Sequence, residues 1–226
     1  MAVVAQPFNR AAKVPKPGEL DRKYHEFWVV NPWEIEALGH NLSAYERKRA
    51  YLNVSDPDGG RNFLDISYLT GADNDGDGRC IVAADFRNVG QLDLVLRQVG
   101  GGPLIIYENH FPKRHYLAVS LRGHPDPNAT VTSNRQGIGA RLEAKVNGKT
   151  LVREMYPVNS FQSQMPAIIH LGLGDADKVD ELKIRWPSGK VQQLEQLVGD
   201  RHIIIDEAQE GKAAVSTVAP GQLVDR

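Results

Sequence analysis

Three groups of residues in this 226-residue chain have types and spacings that could do chemistry. The first is the acidic run Asp73-Asn74-Asp75-Gly76-Asp77-Gly78. Carboxylates at alternate positions, with glycines to let the backbone turn sharply, can wrap a hard cation that prefers six to eight oxygen ligands. Asp73, Asp75 and Asp77 are therefore candidate calcium ligands. The twelfth position, where an EF-hand places a bidentate Glu, is Ala84, and the ninth is Ile81, so the run is not an EF-hand. The other reading is a polar turn rich in Asx residues and empty of metal. The second group is Asp85-Phe86-Arg87-Asn88-Val89-Gly90-Gln91-Leu92-Asp93. Its terminal aspartates have ligand spacing, but Arg87 and Val89 stand where oxygen donors are needed. This loop is read as a turn closed by an ion pair, the guanidinium neutralising the carboxylates.

The third group is the set of seven histidines, at 25, 40, 110, 115, 124, 170 and 202. They lack the close pairing of a zinc site. His170 and His202 fall in apolar runs and read as hydrogen-bonded core residues. Ser163, His170 and Asp175 could be assembled into a relay, but no nucleophile elbow surrounds any serine. Gly148-Lys149-Thr150 imitates the end of a P-loop, yet the motif's first glycine would be Glu143. Gly137-Ile138-Gly139 and Gly172-Leu173-Gly174 lack the third glycine and following helix of a dinucleotide site. No residue is assigned a catalytic role, and the chain is expected not to be an enzyme.

The elements that must hold these groups are strands. Runs rich in Val, Ile, Leu and aromatics at 49–53, 63–67, 80–86, 92–96 and 104–107 are separated by Gly, Asp and Asn turns. A second set spans 116–121, 140–146, 150–156, 168–171, 181–186 and 202–205. Asn147-Gly148 is the strongest hairpin signal, since both residues accept the positive φ of a type I′ turn. Ser188-Gly189 marks a second tight turn. Helix signals are few: Ser43 and Glu46 could form one capping box. Arg141, Arg153, Arg185 and Arg201 recur on or beside the later strands, where Glu143, Glu154 and Asp180 can pair with them across a sheet.

Composition narrows the classes further. With 27 basic and 28 acidic residues, nothing steers the whole chain toward nucleic acid or an anionic membrane. The one cysteine, Cys80, forms no internal disulfide and sits in an apolar run as a structural thiol. No stretch approaches the roughly 20 apolar residues of a membrane span. No basic segment with a long apolar core opens the chain, so a cytoplasmic chain or a processed or truncated product is expected. Residues 1–40 read as an irregular arm interrupted by Pro7, Pro15 and Pro17. Its Phe27, Trp28 and Trp33 would be costly to leave in water. They pack on the protein's own body or dock on a partner. Residues 209–226 lose periodicity and read as a flexible tail, or as a docking strand.

Three glycine-punctuated phrases then combine. Ser133-Asn134…Gly137-Ile138-Gly139-Ala140-Arg141, His170-Leu171-Gly172-Leu173-Gly174 and Arg185-Trp186-Pro187-Ser188-Gly189, with Arg153-Glu154 and Ser163-Gln164 between, resemble the ASPIC/UnbV domain over 116–207. That is the C-terminal module of cartilage acidic protein-like proteins. Upstream, Arg49-Ala50-Tyr51-Leu52-Asn53…Phe63-Leu64-Asp65-Ile66-Ser67 and Asp85-Phe86…Leu92-Asp93-Leu94-Val95 are similar to one FG-GAP/VCBS-type repeat, a calcium-binding propeller blade. The resemblance implies an all-β fold: a degenerate propeller-like blade over 41–112 and a β-sandwich over 113–208. It also implies an extracellular, periplasmic or surface-associated protein tied to adhesion or binding. The expected function is a non-catalytic interaction subunit that binds a protein partner or a second copy. A calcium-dependent adhesion or glycan-binding module, and an enzyme with a site between the halves, are the alternatives.

Overall fold

The computed structural model describes residues 2–4, 27–29, 47–55, 60–74, 78–98, 103–161 and 163–219. Strands dominate them, and the only helical piece among the described residues is a 3-10 turn at Gly211–Ala214. The all-β expectation holds. The chain divides into two units, one of residues 1–81 and 95–107, the other of 82–94 and 108–226.

In the first unit, β1 (Ala2–Val4) and β2 (Phe27–Val29) pair antiparallel, with Val3 opposite Trp28. The segments expected to be irregular thus contain one short ladder of good strand formers. β3 (Tyr51–Ser55) and β4 (Arg61–Asp65) form a second antiparallel pair, Asn53 facing Phe63. β5 (Gly78–Ala84), β6 (Asp93–Gln98) and β7 (Ile105–Tyr107) follow in one three-stranded sheet, of which residues 82–84 and 93–94 belong to the second unit.

The second unit carries the main core. Its strands are β8 (His115–Arg122), β9 (Arg141–Val146), β10 (Lys149–Glu154), β11 (Val158–Ser160), β12 (Ser163–Gln164), β13 (Ile169–Gly174), β14 (Lys178–Arg185), β15 (Val191–Val198), β16 (Arg201–Asp206) and β17 (Val215–Thr217). One sheet runs β10-β9-β14-β15, all antiparallel, and the other β13-β8-β16-β17, with β8 and β16 parallel. Alternation along each strand decides which side chains are buried. Leu117, Val119 and Leu121 of β8 and Ile169, Leu171 and Leu173 of β13 belong to one cluster with Leu142, Ala144 and Val146 of β9 and Leu182 and Ile184 of β14. Each fully buried aliphatic side chain contributes about 1.5–3 kcal/mol. A sandwich is the result.

Local chemistry sets the corners. Asn147 (φ 47°) and Gly148 (φ 73°) make the two-residue β9–β10 turn as their types require. Gly189 (φ 88°) closes the Trp186–Lys190 turn, its N–H donating to the Trp186 carbonyl at 2.9 Å. Gly137 adopts φ 61°, and a Cβ there would stand 2.8 Å from the Leu121 Cβ and 3.2 Å from the Trp186 ring.

Within the expected flexible tail, Gly211–Ala214 form the 3-10 turn and Val215–Thr217 form β17. Ala214 is buried in the core and Val215 packs against it, so β17 adds to the edge of β16. Leu182→Ala, at a fully buried site on a central strand, is expected to cost about 2–5 kcal/mol. Val191→Ala, half-exposed on an edge, should stay within about 0.5 kcal/mol. Chemical denaturation of both variants measures the contrast.

Candidate functional site

Two of the three glycine-punctuated phrases meet at one buried carboxylate. Glu207, just past the end of β16, is 6% exposed. One of its oxygens accepts from the Ser133 hydroxyl at 2.7 Å and the Ser188 hydroxyl at 2.5 Å. The other accepts from the His124 N–H at 3.1 Å. Ser133 Oγ in turn accepts from the Ser188 N–H, and Lys190 Nζ donates to the Glu207 carbonyl at 2.6 Å. Beside this clasp Trp186, 2% exposed, donates its indole N–H to Gln192 at 3.0 Å. The Gln192 amide spends its own hydrogens on the carbonyls of Asp206 and Gln209. The buried polar side chains of this clasp are each hydrogen-bonded to a neighbour.

The open chemistry lies on the outer face of the β8-containing sheet. Register sets His170 of β13, Ala118 of β8 and His202 of β16 side by side. They form the floor of a cleft of about 720 Å³. Small Ala118 between two imidazoles leaves the space. Met155, Pro157, Met165 and Pro166 supply apolar wall, and Tyr156 (66% exposed) and Ile168 (40% exposed) stand at the rim.

Each histidine has a defined partner. His170 Nε2 lies 2.9 Å from the Gly90 carbonyl, and because a carbonyl only accepts, Nε2 carries the proton. Its ring stacks on Tyr116 at 5.5 Å between centroids. Gly90, at φ 84°, presses against that tyrosine so closely that a Cβ would fall 2.1 Å from a ring carbon. His202 Nε2 is 2.8 Å from the Ser120 hydroxyl, and burial pushes its pKa down, favouring the neutral ring. The sequence reads His202 as a hydrogen-bonded core residue without naming its partner, which lies 82 positions away in the chain. Among the described residues no carboxylate bonds to His202, and Ser120 is itself buried. Of the Ser163, His170 and Asp175 set, already set aside as a relay on sequence grounds, Asp175 is paired with Arg114, His170 is held by Gly90, and Ser163 lies in β12.

The charged groups of the cleft are also spent locally. Asp85 accepts the N–H groups of Val89 and Gly90 at 3.0 and 2.6 Å, and Asp200 pairs with His115 at 2.6 Å. Arg153 donates to the Val152 carbonyl at 2.8 Å, Arg201 to the Gly199 carbonyl at 3.3 Å, and Glu154 lies 3.7 Å from Arg141. What the cleft offers a ligand is apolar surface and imidazole edges.

Residues 130–212 match the family model described as ASPIC and UnbV. No curated protein matches the chain. The ASPIC/UnbV match begins after β8, yet β8 lies between β13 and β16 in the sheet and is indispensable to it. It ends in the 3-10 turn that precedes β17.

The remaining sequence candidates are placed as follows. Arg87 pairs with Asp93 through Nη2 at 3.0 Å and Nε at 3.3 Å, and with Glu108 at 2.5 Å. The Asn109 N–H holds the Asp93 carboxyl below its usual range; burial opposes this and Arg87 reinforces it. The expected ion-pair closure is present at Asp93, whereas Asp85 caps backbone instead. Asp73 lies 2.7 Å from the Arg47 guanidinium, while Asp75 and Asp77 lie outside the described residues. A calcium ion at this run would compete with Arg47 for Asp73. Phe27 and Trp28 form part of β2, and Trp33 lies outside the described residues, as do Ser43 and Glu46. Cys80 is a free thiol, half-buried in β5.

Two measurements follow from this geometry. Glu207→Ala strands three donors at once and is expected to cost roughly 3 kcal/mol, read by denaturant titration. His202 has a folded-state pKa below its ordinary 6.5, so the unfolded chain binds the extra proton first. Stability is therefore complete above that value and falls as pH drops through it. A His202→Gln variant should show a flatter dependence of melting temperature between about pH 7.5 and 5 than the parent chain.

Proposed function

We propose that the chain is a non-catalytic interaction subunit, and that the cleft over His170, Ala118 and His202 receives an extended segment of a protein partner. The observation that carries this reading is the largely apolar surface of the cleft, walled by Met155, Pro157, Met165 and Pro166 with an exposed Tyr156 and Ile168 at its mouth, while its charged wall residues are hydrogen-bonded locally. Interface centres are depleted in free charge and enriched in aromatic residues and Met, as this cleft is. A rim aromatic beside a preformed apolar slot is the usual anchor geometry. Catalysis would require a free nucleophile, base or charge aimed into the space. The one hydroxyl–imidazole hydrogen bond among the described residues instead joins a buried serine to a half-buried ring.

The matched ASPIC/UnbV segment supports the same reading through the binding and adhesion roles that the resemblance implies, and with them an extracellular or surface location. Among the described residues no helix is long and apolar enough to cross a membrane.

A photocrosslinking amino acid placed at Tyr156 in the full chain tests the proposal in extracts of the native source. The expected result is a discrete adduct with one partner, or with a second copy. The same probe at Gln193, on the β15 edge, should give none. Ile168→Asp should abolish the adduct without moving the melting temperature by more than about 2 °C, a surface-sized effect. Adducts that form equally at both positions, or at neither, would overturn the cleft as the docking surface.

A further inference from the structure

We draw no further inference here: the strongest candidate, the face of the β3–β4 pair that sets Tyr51 and Phe63 in the open beside Asn53 and Arg61, carries none because nothing in the structure shows what covers it.

Discussion

A carboxylate taken out of water costs several kcal/mol unless its lone pairs are filled, and Glu207 is the point at which this chain meets that cost. Three donors from three separated stretches, at Ser133, Ser188 and the His124 backbone, must arrive together to satisfy it. Their arrival ties the end of β16 to the segment before β9 and to the β14–β15 turn. Trp186 can then sit under Gly137 with its indole N–H satisfied, and the edge of the core is sealed. Ser133 and Ser188, which belong to two of the glycine-punctuated phrases, are the hydroxyls that this buried carboxylate takes as donors.

With that end of the sandwich committed to itself, the two outer sheet faces diverge. The β9 and β14 face carries Lys145 bonded to Glu181 at 2.8 Å and Arg141 bonded to Glu143 at 3.1 Å. Such a ladder is well hydrated and offers little to bury. The β8 face has Ala118, Ser120 and two imidazoles where the other has charges, and it opens into an apolar cleft. The functional reading rests on this asymmetry.

Features encoded by adjacent residues were legible in the sequence. The Asn147-Gly148 hairpin, the Ser188-Gly189 turn and the role of Arg87 against Asp93 each depend on side chains within a few positions of one another. β15 was not legible: Val191-Gln192-Gln193-Leu194-Glu195-Gln196-Leu197 has little strand propensity of its own. It is held by pairing with β14 and by burial of Gln192 and Leu194. The Ser120–His202 contact and the floor of the cleft were hidden for a related reason, since they exist only after β8 and β16 have come together. Asp85 shows a third kind of failure. Its spacing from Asp93 suggested a ligand or an ion-pair partner, but nearby N–H groups compete for the same oxygens and win.

The parallel pairing of β8 with β16 sets Leu117 opposite Arg201 and Leu121 opposite Ile205, across more than eighty residues of intervening chain. On a ribosome, β8 emerges long before its neighbour, and the other sheet can assemble while β8 still waits. The sheet over the core is incomplete until the strand ending at Asp206 is released, with Glu207 directly behind it. The residue that locks this end of the sandwich therefore leaves the ribosome directly behind the strand that it fastens, so pairing of that strand and its locking come together.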